Sequence, residues 1–74
     1  MDIMSDNNET TRKKWGEKIR KAREKARLTQ AEVAEQADIN VSYYAQIERG
    51  EVNLSVDKLQ SIAKVLKIKS LDIV

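Results

Sequence analysis

From Ile39 to Ile47 the chain reads INVSYYAQI, a run without one charge in a sequence that is 35% charged. Asn40, Ser42 and Gln46 each carry hydrogen-bond donors and acceptors, and Val41 adds a small apolar group. Side chains of this kind can read the edges of nucleic-acid bases. Asn and Gln amides pair bidentately with adenine, Ser serves several bases, and a small aliphatic group packs on the thymine methyl. A plain solvated surface would more often carry Lys and Glu. Asn40 and Ser42 have a second reading, as the cap and the first turn of a helix. Gln46 has no capping role.

Other chemistry is poorly served. The sequence has no Cys and no His, which removes thiol nucleophiles, imidazole bases and the common soft-ligand metal sites. It has two Gly, no glycine-rich phosphate loop, and no paired carboxylates in a recognisable setting. An enzyme, a metal and a cofactor are therefore not expected. The net charge is only +2, but residues 12–27 hold nine of the fourteen basic side chains, while Asp2, Asp6 and Glu9 make the first ten residues acidic. Such a basic stretch permits a polyanionic partner, and it is equally what a solvated helix face looks like. No apolar run approaches the ~18 residues of a membrane span, and no leader pattern opens the chain. With zero Cys, the expectation is a cytoplasmic protein without membrane contact.

The elements that must position INVSYYAQI are marked by helix caps. Thr29 followed by Glu32 forms a capping box, with Leu28 and Val33 as its hydrophobic staple. Asn40 caps a second helix with Ile39 and Tyr44 as the staple, and Ser55 a third with Leu54 and Leu59. These starts predict helices over 30–36, 41–49 and 56–66, with Gly50 as a left-handed stop. A first helix is expected over 11–27, capped by Thr10 or Thr11, with Trp15, Ile19, Ala22 and Ala26 on its buried face. Residues 1–10 read as an acidic arm, 11–74 as one domain, and a short last helix is expected after Ser70. The fold class is all-α, a compact bundle of four to five helices. The helices at 30–36 and 41–49 are so tightly joined that they must cross closely, and Ala34 and Ala37 supply the small residues this needs. The pair, 30–49, is a helix-turn-helix whose second helix would enter the major groove.

LTQAEVAEQADINVSYYAQIERG, residues 28–50, resembles the helix-turn-helix of the Cro/C1-type (XRE) transcriptional regulators. The likeness runs from about Trp15 through SVDKLQSIAKVL, residues 55–66, to SLDIV at the end. It implies a compact five-helix bundle that binds an operator in double-stranded DNA as a homodimer. By the same resemblance, Asn40, Val41, Ser42 and Gln46 match base-contacting positions. Thr29, Gln30, Tyr43 and Arg49 match positions at the DNA backbone, and Gln30 also one that supports a base-reading side chain. Arg23 and Glu48 match a salt bridge tying the first helix to the third; otherwise they are ordinary surface charges. Where the family commonly has Gly, this chain has Arg27, Asp38 and Lys67, each expected to cost roughly 1 kcal/mol if the left-handed geometry is kept. Tyr44 replaces a usual aliphatic, and its hydroxyl needs a partner, water or the surface.

ERGEVNLSVDKLQSIAKVLKI is similar, more narrowly, to the controller proteins of restriction–modification systems, with NLS at 53–55 as the shared element. These are short and dimeric and lack a ligand domain, so no small-molecule ligand is expected. Regulation would then act by blocking transcription or by touching RNA polymerase. Ile68, Leu71, Ile73 and Val74 are the candidate dimer interface, since one small core cannot easily bury them together with the stripe Val56, Leu59, Ile62, Ala63, Val65 and Leu66. The rival function is an antitoxin or bridging module that uses the same fold to bind protein.

Overall fold

The computed structural model describes residues 9–68, and among them it contains four helices and no strand: α1 (Glu9–Lys25), α2 (Gln30–Gln36), α3 (Val41–Arg49) and α4 (Val56–Leu66). The caps explain the last three. Thr29 Oγ1 accepts the Glu32 N–H at 3.0 Å, and the Glu32 carboxylate accepts the Thr29 N–H at 2.7 Å. Asn40 Oδ1 accepts the N–H groups of Ser42 and Tyr43 at 2.8 and 3.2 Å. Ser55 Oγ accepts the Lys58 N–H at 3.2 Å. Each bond satisfies a first-turn donor that the helix itself leaves without a partner.

α1 departs from expectation at both ends. Thr10 and Thr11 lie inside the helix rather than capping it. Glu9, in the first turn, pairs with Lys13 at 3.0 Å, an i,i+4 bond with the acid at the positive end of the helix dipole. Glu9 and Thr10 therefore belong to α1 and not to an arm; the rest of that arm, residues 1–8, lies outside the described residues. At the other end the helix stops at Lys25, because Arg27 turns left-handed at φ 61°. The turn lets the Leu28 N–H reach the Arg23 carbonyl at 3.2 Å and leaves Ala26 exposed instead of buried. The helix expected after Ser70 also lies outside the described residues.

Arg27, Asp38 and Lys67 all have positive φ, near 60°, as does Gly50 at 74°. The left-handed geometry is thus kept at all three positions where a side chain replaces the commoner glycine. Asp tolerates it better than Arg or Lys.

α1 packs chiefly on α3, while α2 packs on α3 and α4. Ile19, Val33, Tyr44 and Ile62 are fully buried at the centre, with Ile47, Leu54, Leu59 and Leu66 around them. Tyr44 does not reach the surface. Val56, by contrast, is 66% exposed and leaves the apolar stripe expected for α4. Ile68 is half-buried against the core; Leu71, Ile73 and Val74 lie outside the described residues. Gly16 is the contact that brings α1 onto α3. A Cβ there would sit 2.4 Å from the Glu48 carbonyl oxygen and 2.5 Å from that of Ile47, so no other residue allows the two backbones this close.

Candidate nucleic-acid interface

α3 buries one side and shows the other. Tyr44, Ile47 and Glu48 face inward, whereas Asn40, Val41, Ser42 and Arg49 are exposed and Tyr43, Ala45 and Gln46 are half-buried. Ser42 and Gln46 stand one turn apart, so they share the outer face, with Val41, 44% exposed, beside them. Asn40 sits at the head of the same ridge. Its Oδ1 is already bonded to two backbone N–H groups, so only its Nδ2 donor remains. A bidentate contact with adenine requires both atoms, and Asn40 can supply one.

The ridge is held in place from behind by a buried ion pair. Arg23 Nε donates to Glu48 Oε2 at 2.6 Å and Nη2 to Oε1 at 3.2 Å, in a bidentate fork. The two side chains are 15% and 2% exposed. A third guanidinium nitrogen, Nη1, donates to the Leu28 carbonyl at 3.0 Å. Gln30 Nε2 completes the set by donating to Glu48 Oε1 at 2.9 Å. One carboxylate on α3 thus gathers α1 through Arg23 and α2 through Gln30, which fixes how α2 crosses α3. Burial alone would raise the Glu48 pKa. The hydrogen bonds from Arg23 and Gln30, the nearby Tyr44 hydroxyl and the Arg23 charge together outweigh it and hold the carboxyl below the usual range. The Glu48 bond, larger than the opposing effect of burial, raises the Arg23 guanidinium. The Tyr44 hydroxyl is buried and completes no hydrogen bond of good geometry. Burial first, and Glu48 next, push its phenol well above the tyrosine range.

At the other end of α3, Gly50 turns the chain. A Cβ at Gly50 would lie 2.7 Å from Lys13 Cα, so α1 also passes closely here. Arg12 Nε donates to the Gly50 carbonyl at 3.2 Å, and its Nη1 to Asn53 Oδ1 at 3.3 Å. Tyr43 donates its hydroxyl to the Asn53 carbonyl at 3.2 Å. The segment after α3 is therefore clamped by α1 from one side and α3 from the other. Arg49 points outward, with Nε and Nη2 bonded to the two Glu51 oxygens at 2.9 and 3.1 Å.

The residues singled out in the sequence fall into two groups. Asn40, Val41, Ser42, Gln46, Tyr43 and Arg49 form one outward surface along α3. Gln30 starts α2 half-buried, with its amide nitrogen committed to Glu48. Thr29 is exposed, and its hydroxyl oxygen accepts the cap bond. Sequence reasoning missed Gly16, Arg12 and Glu51. Gly16 carried a signal: glycine within a helix costs up to about 1 kcal/mol relative to Ala, so its place amid Lys and Arg implies close packing. Arg12 was indistinguishable from its basic neighbours. Among the described residues no group of carboxylates suits a metal ion, and no helix is long and apolar enough to cross a membrane.

A family model described as helix-turn-helix matches residues 19–74. The control protein C.BamHI of Bacillus amyloliquefaciens is 33% identical over 60 residues, which cover 80% of this chain and 74% of that protein. The immunity repressor protein of Bacillus phage phi105 is 39% identical over 54 residues, covering 73% of this chain; the match spans only 38% of the repressor's length. Among solved structures, the restriction–modification controller protein C.AhdI from Aeromonas hydrophila superposes with a TM-score of 0.82 at 27% identity, covering 85% of this chain and 96% of that one. With the capped α2–α3 pair and the uncharged outer ridge already in view, these matches establish that the chain belongs to the Cro/C1-type helix-turn-helix family of DNA-binding transcriptional regulators.

Proposed function

We infer that the chain acts as a cytoplasmic homodimer that reads a roughly palindromic operator with one α3 per half-site. The observation that carries this is the uncharged, hydrogen-bonding ridge of α3, set on a helix whose start is capped and whose back is locked to α1 and α2. A preorganised helix can hold Ser42 and Gln46 at base edges without first ordering them. Ser42, Gln46 and Val41 make the base contacts, with Asn40 adding one donor. Thr29, Gln30, Tyr43 and Arg49 lie along the flanking phosphates, and Glu48 with Arg23 keeps the reading helix in place. Twofold symmetry sets the half-sites about one DNA turn apart. The similarity to C.BamHI and C.AhdI supports a controller role, in which the bound dimer blocks a promoter or touches RNA polymerase.

Selection of binding sites from random duplex DNA at physiological salt tests this. The expected result is convergence on a palindrome. Gln46→Ala should then lose about 1–3 kcal/mol on that site and relax discrimination at one base pair. Convergence on a single half-site would retain the reader and remove the dimer. A folded protein that selects no sequence would overturn the reading in favour of a protein-binding module.

A further inference from the structure

Arg49, at the C-terminal end of α3, does not stand free. Its guanidinium already holds a carboxylate in the planar, two-bond geometry that it would otherwise offer to a phosphate. Glu51 supplies both oxygens, at 2.9 and 3.1 Å from Nε and Nη2. Exposed ion pairs are usually weak, because two long side chains must be ordered to make one contact. Here part of that ordering is already done. The left-handed Gly50 reverses the chain, and the Glu51 N–H is bonded to the Gln46 carbonyl at 2.9 Å. The backbone that carries the carboxylate is thereby fixed to α3 itself. A phosphate cannot take the same two nitrogens while Glu51 occupies them.

We propose that Glu51 is an internal stand-in for a DNA phosphate, competing for Arg49 and so limiting how tightly this regulator holds any duplex. This rests on the reading of α3 as the DNA-facing helix. With the pair formed, the positive charge of Arg49 is neutralised within the protein and releases no counterion from DNA. Breaking the pair is part of every binding event in which Arg49 engages a phosphate. The carboxylate freed in that event is left close to the DNA backbone, which adds repulsion.

The test is a double-mutant cycle with Glu51→Gln and Arg49→Gln, read by fluorescence anisotropy on a labelled mixed-sequence duplex across a salt series. Both positions are exposed, and matching thermal melts verify that the variants fold. Glu51→Gln should tighten binding about two- to five-fold. It should also steepen the dependence of affinity on salt by about one counterion. In the Arg49→Gln background the same change should give a clearly smaller gain, that of removing the carboxylate's repulsion alone. An equal gain with and without Arg49 would mean that Glu51 acts only as one more negative charge, and would overturn the proposal. Weaker binding by Glu51→Gln would overturn it too, by showing that the pair orients Arg49 for DNA. If the wild-type protein binds no duplex at all, the DNA reading itself fails. If it binds and no Arg49-dependent gain appears, the competition alone is refuted.

Discussion

Gly16 and Glu48 carry the contact between α1 and α3 from its two sides. In an exposed helix, Gly→Ala stabilises by roughly 1 kcal/mol because alanine has less backbone freedom to lose. At Gly16 the new methyl would press on two backbone oxygens of α3 that cannot rotate away. Gly16→Ala should therefore destabilise by about 1–3 kcal/mol, and the sign, read by urea unfolding, distinguishes close packing from simple helix propensity. Glu48 answers to pH. Its carboxyl titrates lower in the folded chain than the ordinary value of 4.5. Its contribution is therefore fully present above that value and is lost as pH falls through the lower, folded one. Glu48→Gln should leave Arg23 without its counter-charge and cost about 3 kcal/mol at neutral pH, the lower end for a broken buried pair because water lies close in so small a domain. Urea midpoints measured across the acid range should fall more gently for the variant than for the wild type. Sequence reading brought Arg23 and Glu48 together through a family pattern. It could not foresee Gln30 as the third member, since nothing in spacing says which way an amide at a helix start will turn.

At the scale of elements, the sequence was most legible where local hydrogen bonds fix the answer. Thr29, Asn40 and Ser55 begin their helices as their side chains require, so α2, α3 and α4 fall within the expected bounds. α1 was legible in its middle and not at its ends. Its first turn is stabilised by the Glu9–Lys13 pair rather than by a threonine cap, and its last is cut short by a left-handed Arg27 that local propensity disfavours. The same conflict recurs after α4. Lys67 closes that helix at φ 60°, and its N–H still bonds to the Lys64 carbonyl at 3.3 Å. A Cβ at such a position is strained, and tertiary packing has imposed the turn all the same. Lys67→Gly should relieve the strain and raise stability by about 0.5–1 kcal/mol despite the greater freedom of glycine in the unfolded chain. A higher thermal midpoint would record it. An unchanged midpoint would mean that the lysine stem, which lies beside the shallow groove formed with Ala22, Ala26, Leu66 and Ile68, recovers by packing what the backbone loses.

At the scale of the whole molecule, the proposed dimer would turn one reading helix into a two-part reader. The core is small, with four fully buried large side chains at its centre, and there is no disulfide or common soft-ligand metal site to reinforce it. The second subunit of the proposed dimer would supply that support. It would also give Leu71, Ile73 and Val74 a surface to pack on, since among the described residues the core is already furnished by α1–α4. Sedimentation equilibrium of the wild type should follow a monomer–dimer equilibrium, and Leu71→Glu should shift it toward monomer by burying a charge at the contact. Stability and assembly would then move together, since a dimer gains apparent stability with concentration and a monomer does not. The same variant should keep the base preference of α3, because Ser42 and Gln46 belong to a helix locked within the subunit by Glu48, and it should bind a single half-site where the wild type prefers two. If Leu71→Glu remains a dimer, the interface lies elsewhere. If it becomes a monomer and still selects the full palindrome at undiminished affinity, reading does not depend on the pairing of subunits.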